Sequence, residues 1–239
     1  MKIIQLALLI IIPASVFGQA DVNQIIDRSI QFHDPEEQWQ KVALKMIIDE
    51  PRTSWPERHS ELLLNNQNGN FSLKRNSEGH NLKWLYEDGK SSTFMDQSSS
   101  ETLPADSVSK YRLQPTRTEG YKQFYSFTLG LPMSLKTAGG QIKHVVEQVG
   151  FHGQTVYAVT YQLEKPLIAS TWVFYFDTDT YQLLGCSLLN DETGEPAEYL
   201  KFDKMLIETG GLKLPRVKHW FDADDNYLGS DIVVIVSRS

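Results

Sequence analysis

Residues 171–236 constrain the fold more than any other stretch. They read TWVFYFDTDTYQLLGCSLLNDETGEPAEYLKFDKMLIETGGLKLPRVKHWFDADDNYLGSDIVVIV. Apolar runs rich in β-branched and aromatic residues alternate with turn punctuation at Asp177-Thr178-Asp179, residues 190–196, Gly210-Gly211 and residues 222–226. No helical period survives in the runs, so the pattern is that of consecutive antiparallel strands in a meander. Several runs are apolar on both faces. Trp172, Phe174 and Phe176 alternate with Val173 and Tyr175, and residues 232–236 have no polar face at all. A sheet with one wet side would alternate cleanly. Two-sided apolarity therefore points to a sheet curled enough to have an inside. The expected fold class is α+β, mostly β. It is an open, strongly curved antiparallel half barrel of about ten or eleven strands, with an N-terminal helix and middle helices covering its concave face. A closed barrel fits almost as well.

The rest of the chain supplies the other wall and the cover. Residues 42–48, 61–65, 71–75, 80–87 and 90–95 read as strands, with Leu82, Trp84 and Tyr86 on one face and Asp88-Gly89 as a hairpin turn. Residues 21–32 place Val22, Ile25, Ile26, Ser29 and Ile30 on one helical stripe. Asp21 suits the N-cap, and Asp34-Pro35 ends the helix. His33 then falls in the last turn, where a partly charged imidazole would complement the helix dipole. Helical pieces are also expected at 103–113, opening on Pro104, and at 118–129, with Gly130 as a stop. The latter sets Tyr121, Phe124, Tyr125, Thr128 and Leu129 on one stripe.

The first twenty residues, MKIIQLALLIIIPASVFGQA, have one positive charge at Lys2, an apolar core over 3–12 and then Pro13. That is the layout of a secretory signal peptide, and the apolar core is too short to span roughly 30 Å of hydrocarbon. Val16 and Gly18 place cleavage before Gln19, with cleavage after Ala20 as the alternative. The expected division is a leader over 1–18 and one half-barrel domain over 19–239, exported to the periplasm or beyond and acting as a monomer. The only cysteine, Cys186, lies far from the cleavage zone, so lipid anchoring is not expected and no internal disulfide can form. In the apolar run 183–189 it reads as a small buried hydrophobe. The formal net charge of −7 argues against nucleic acid or an anionic membrane surface as the main partner.

Candidate chemistry is thin. His33 and Asp34, with His219 and Asp231 as imaginable partners, could serve a hydrolase, but the bland reading is a helix terminus with a proline stop. The chain has no His-Glu-x-x-His, no cysteine pair, no Gly-x-Ser-x-Gly and no phosphate loop. Residues 222–226 open like a calcium loop, yet Tyr227 and Val233 stand where glycine and glutamate belong. Like residues 177–179, they read as a hairpin tip, and Asn70-Phe71-Ser72 is a bare glycosylation sequon. Catalytic residues, metal ligands and cofactors are therefore expected to be none. The feature that could form a ligand surface is the aromatic helix stripe, Tyr121, Phe124, Tyr125 and Leu129, facing the sheet aromatics Trp84, Trp172 and Phe174. A helix across a curved apolar sheet leaves a cavity wherever packing is incomplete, and barrel mouths are common ligand sites.

Further short motifs recur along the chain: Phe32-His33-Asp34-Pro35 with Trp39, Tyr175-Phe176-Asp177 with Tyr181, Leu214-Pro215 with Trp220, and Leu228-Gly229-Ser230-Asp231. Together they resemble an uncharacterised family of secreted proteins from Bacteroidota-type bacteria. More distantly, the layout is similar to the periplasmic lipoprotein carrier (LolA-like) superfamily, whose half barrel holds acyl chains beneath helices. The resemblance implies a non-enzymatic protein binding an acyl chain, lipid or lipoprotein. The alternatives are an envelope interaction module with a filled core, or a hydrolase.

Overall fold

The computed structural model describes residues 21–54, 58–143 and 147–238. The expected leader lies outside them. Three α-helices, α1 (Val22–His33), α2 (Ala105–Lys110) and α3 (Thr116–Leu129), are set among sixteen strands in the described residues. The first half holds β1 (Ala43–Glu50), β2 (Arg58–Asn65), β3 (Phe71–Ser77), β4 (His80–Glu87), β5 (Lys90–Met95) and the short β6 (Ser98–Ser99). After the helices come β7 (Gly140–Ile142), β8 (Glu147–Phe151), β9 (Gln154–Leu163), β10 (Thr171–Asp177), β11 (Leu183–Leu189) and β12 (Pro196–Phe202). The chain ends with β13 (Leu206–Thr209), β14 (Leu212–Pro215), β15 (Val217–Asp222) and β16 (Tyr227–Arg238). Most of the excess over the expected ten or eleven comes from β6, β7, β13 and β14, which are two to four residues long. A period-2 reading does not register pairings that short.

Fourteen strands form one antiparallel sheet, ordered β6-β5-β4-β3-β2-β1-β16-β15-β12-β11-β10-β9-β7 with β8 also on β9, while β13 and β14 pair separately. Every named pairing is antiparallel, and β6 and β7 end the path, so among the described residues the sheet does not close. The last strand pairs with the first, placing Met46 opposite Val236 and Ile47 opposite Ile235. That seam joins the two expected walls.

Contacts of α3 show that the sheet bends. Tyr121 meets Trp84 of β4 edge-on with ring centres 5.1 Å apart, and Phe127 meets Trp172 of β10 likewise at 5.3 Å. These strands lie eight places apart in the sheet, nearly 40 Å at ~4.8 Å per strand. A helix of fourteen residues is about 20 Å long. One helix reaches both only if the sheet wraps around it.

The concave space is largely filled by two apolar clusters. One gathers Ile25 and Ile26 of α1 with Phe127, Val159, Trp172, Phe174, Phe176 and Leu200. The other gathers Trp39, Leu44, Met46, Ile48, Phe71, Leu73, Trp84 and Leu129. Ile30 and Phe124 pack against both. On β10 the outward Val173 and Tyr175 are half-buried, Tyr175 lying flat on Phe151 with centroids 4.1 Å apart. The apolar run 232–236 behaves differently. Val233 is buried, but Val234 and Ile235 are 42% and 51% exposed, so two-sided apolarity there does not mean two-sided burial.

Two helix ends depart from expectation. Gly130 follows α3 at φ −83°, not in the left-handed region of a glycine stop. Its bare Cα is needed because a Cβ would sit 2.4 Å from the Trp39 ring. His33 is fully buried and does not serve as a charged helix-end group. Its Nδ1 donates to the Lys213 carbonyl at 2.6 Å and its Nε2 accepts from the Leu183 amide at 3.1 Å. Those bonds require the neutral ring, and burial lowers its pKa from 6.5 to about 4. None of the helices among the described residues is long and apolar enough to cross a membrane.

Candidate functional site

The site begins where the inward rows of β1, β2 and β3 stop being apolar. Leu44, Met46 and Ile48 are followed on the same face of β1 by Glu50, which is 3% exposed. Leu64 and Leu62 of β2 are followed by Ser60, and Phe71 and Leu73 of β3 by Arg75. Side chains two apart share a strand face, so three adjacent strands deliver a carboxylate, a hydroxyl and a guanidinium to one place.

These groups bond closely. The Ser60 hydroxyl donates to Glu50 Oε2, Arg75 Nε donates to Ser60 Oγ at 2.8 Å, and Arg75 Nη2 lies 3.1 Å from Glu50 Oε2. From α3, the Tyr125 hydroxyl donates to Glu50 Oε1 at 3.3 Å and accepts from Arg75 Nη2. Burial alone would weaken the Arg75 charge, but attraction to Tyr125 and Glu50 outweighs it and holds the guanidinium ionised. Burial likewise pushes the Tyr125 phenol well above its usual value.

A second ion pair adjoins the first. Arg52 Nη2 bonds Asp231 Oδ1 and its Nη1 bonds the Ser230 carbonyl, while Trp220 Nε1 donates to Asp231 Oδ2 at 2.9 Å. The segment carrying Arg52 pairs antiparallel with β16 at Gly229. A Cβ there would lie 2.4 Å from the Pro51 carbonyl oxygen, and φ is +150°. Only glycine allows that approach without a shift. Arg58 reaches Glu50 at 3.5 Å.

Above this polar floor opens a cleft of about 500 Å³ between α3 and the sheet. Tyr121, Phe124, Leu167, Ile168, Trp220 and Leu228 form its apolar wall, and Arg112, Arg117 and Glu198 reach its edge. On the other flank of α3 is a cavity of about 330 Å³ lined by Trp39, Lys122, Ser126, Phe127 and Leu163, with Leu167 touching both spaces.

Of the seven residues expected at a ligand surface, Tyr121, Phe124 and Tyr125 line the cleft. Leu129 packs in the cluster around Met46. Trp84 is buried beside Tyr121 and donates from Nε1 to the Arg112 carbonyl at 3.0 Å, which fixes the backbone of a cleft-edge residue. Trp172 and Phe174 are wholly buried beneath Phe127. Cys186 is buried too, its thiol pushed up to about 12 by desolvation.

The hydrolase residues are not brought together. Asp34 accepts from the amides of Gln38 and Trp39, both ring nitrogens of His33 are engaged, and His219 Nδ1 pairs with the Ser230 hydroxyl at 2.7 Å. Asp231 belongs to the Arg52 pair instead. Asp222 accepts from the amides of Asp224 and Asn226, as a hairpin tip requires. The sequence reasoning missed the charged lining, Glu50, Arg52, Arg58, Arg75, Arg112, Arg117 and Glu198, and the apolar wall residues Leu167, Ile168, Trp220 and Leu228.

A wrapped antiparallel sheet, open at its edges and crossed inside by one helix, defines a class with solved members. A LolA superfamily protein from Nitrosomonas europaea matches with a TM-score of 0.50 at 8% identity, over 90% of this chain and 91% of that one. A putative outer membrane lipoprotein-sorting protein domain from Vibrio parahaemolyticus gives 0.50 at 12%, again over 90% and 91%. A DUF1329 family protein from Desulfovibrio piger gives 0.51 at 9%, over 91% and 93%. At such identities the likeness is one of fold. The chain itself belongs to a family of unknown function, DUF6503, whose model matches residues 2–235. A search of curated proteins returns no match.

Proposed function

We propose that this protein is an exported binding protein that shelters an apolar chain, such as an acyl chain, lipid or lipoprotein anchor, without covalent chemistry. The carrying observation is the cleft of about 500 Å³ between α3 and the wrapped sheet, walled by Tyr121, Phe124, Trp220 and Leu228. That volume lies in the range of pockets that enclose ligands. The LolA-like fold, shared with a protein described as a putative lipoprotein-sorting domain, supports the same reading. Export rests on the leader over 1–18, and placement in the periplasm or beyond rests on that leader and on the resemblance to secreted Bacteroidota-type proteins. A single domain over 19–239, working as an unanchored monomer, completes the proposal.

The test is native mass spectrometry and solvent extraction of the purified mature protein, followed by titration with oleyl alcohol, whose head group is neutral. A one-to-one complex, weakened when Phe124 is replaced by Asp, supports the reading. A ligand-free protein that takes up neither this chain nor its anionic analogues overturns it. The filled apolar clusters would then favour an interaction module.

A further inference from the structure

The cleft is not lined as a plain hydrocarbon slot. Its polar side carries the five arginines 52, 58, 75, 112 and 117 against the three carboxylates of Glu50, Asp231 and Glu198. The arginines differ in how far they are committed. Arg75 is spent on Glu50, Ser60 and Tyr125, and Arg52 on Asp231 and the Ser230 carbonyl. Arg58 has only a 3.5 Å approach to Glu50, and its Nε is buried with no hydrogen-bond partner. Arg112 and Arg117 are exposed at the cleft edge, with no side-chain hydrogen bond or ion pair among the described residues. A buried N–H donor left unpaired is costly, and guanidinium groups favour the paired oxygens of carboxylates and phosphates. The polar floor is thus a fixed, internally paired frame. Beside it, among the described residues, stand one buried guanidinium N–H of Arg58 without a partner and two exposed guanidinium groups paired with no side chain.

We infer that the cleft takes an amphiphile with an anionic head group, a carboxylate or a phosphate, received by Arg58, Arg112 and Arg117 while its chain lies along Tyr121, Phe124 and Leu228. The inference rests on the cleft being a chain-binding site and adds the chemistry of the ligand's polar end. It also fits the acidic whole. A chain of formal net charge −7 repels anions in general, so the local arginines select an anion that the cleft can also bury.

The experiment compares oleate, oleyl phosphate, oleyl alcohol and inorganic phosphate by calorimetry below their micellar concentrations. Oleate and oleyl phosphate are expected to bind about tenfold more tightly than oleyl alcohol, the worth of one charge-assisted contact. That preference should collapse toward parity in the Arg112→Gln/Arg117→Gln variant, with circular dichroism confirming its fold. Should the pair of substitutions prevent folding, the unaltered protein carries the test. Raising ionic strength from about 0.01 M to about 1 M shortens the screening length from roughly 30 Å to 3 Å. The affinity for oleate should then fall, and that for oleyl alcohol should not. Equal affinity for oleate and oleyl alcohol overturns the inference and leaves chain binding standing. Inorganic phosphate binding as tightly as oleyl phosphate overturns it too, because the chain would then add nothing. Failure of every chain to bind removes both readings.

Discussion

Glu50 is the anion on which the cleft floor depends. It is 3% exposed, and Arg52, Arg58 and Arg75 all lie within 4 Å of it. Removing one member of a buried ionic set leaves the others uncompensated, at a cost of about 3–5 kcal/mol. Glu50→Ala should lower the unfolding free energy measured in urea by that amount, while Glu50→Leu with Arg75→Met should recover most of the loss. A double variant no better than the single one would refute this account. His33 makes a prediction with a defined pH window. Its pKa falls from 6.5 to about 4 on folding. Between those values the unfolded chain binds a proton that the folded protein does not, so stability declines as pH falls, by about 3 kcal/mol in all. Urea unfolding at pH 7 and near pH 4 should show a smaller acid loss in His33→Gln than in the parent. The two residues also mark what was legible. Glu50 could have been read by extending the period Leu44, Met46, Ile48 one step, and Arg75 by extending Phe71, Leu73, since a charge on a core-facing row is itself a signal. Arg117 could have been read the same way, standing four residues before Tyr121 in the first turn of α3, whereas Arg52 and Arg112 could not, because no period governs the connecting segments that place them.

At the scale of the element, α3 shows why a correct stripe was an incomplete one. Tyr125, Thr128 and Leu129 are buried as the helical period requires, but so is Phe127, on another side. A helix lying on a flat sheet buries one stripe. One lying inside a wrapped sheet is met from two sides, so its apolar residues spread around the axis. Phe127 on the second side packs on Trp172 and Phe174 of β10, and Lys218 of β15, buried, donates from Nζ to the Thr128 carbonyl. Desolvation lowers its pKa from 10.5 to about 8. Below that value the folded protein carries an unpaired buried charge. Between pH 8 and 10.5 only the unfolded chain holds the proton, so stability rises with pH across that window. Lys218→Met removes a penalty of roughly 3 kcal/mol and orphans a carbonyl worth about 1 kcal/mol, for a net gain of about 2 kcal/mol at pH 7. Thermal denaturation at pH 7 and pH 10 checks both parts: the variant should melt higher than the parent at pH 7, and the difference should shrink at pH 10. A second change in this element carries the opposite sign. Gly130→Ala drives a Cβ into the Trp39 ring and should cost about 1–3 kcal/mol of overpacking, measured by urea unfolding.

Over the whole molecule, the two walls expected from residues 42–95 and 171–236 become one sheet because β16 pairs with β1. The walls were legible because each is a run of hairpins, where sequence neighbours are spatial neighbours. Their seam was not, since nothing local in residues 43–50 names residues 232–238 as partners. The seam has an energetic consequence. Each wall keeps its own apolar cluster, with Trp39 and Trp84 in one and Trp172 and Trp220 in the other. Two clusters of this size could unfold separately, and what couples them is the β1–β16 ladder together with Ile30 and Phe124, which pack on both. With that coupling intact, urea unfolding should be one transition, with the Trp172→Phe/Trp220→Phe protein and the Trp39→Phe/Trp84→Phe protein, each stripped of one cluster's tryptophans, showing fluorescence midpoints that coincide with their own far-ultraviolet circular dichroism. Ile30→Ala with Phe124→Ala removes the shared side chains while leaving each cluster its own residues. The fluorescence of the cluster around Trp172 and that around Trp84 should then separate into two midpoints. If they remain coincident in that variant, the β1–β16 seam alone carries the coupling, and the bridging side chains serve the cleft rather than the cooperativity of the fold.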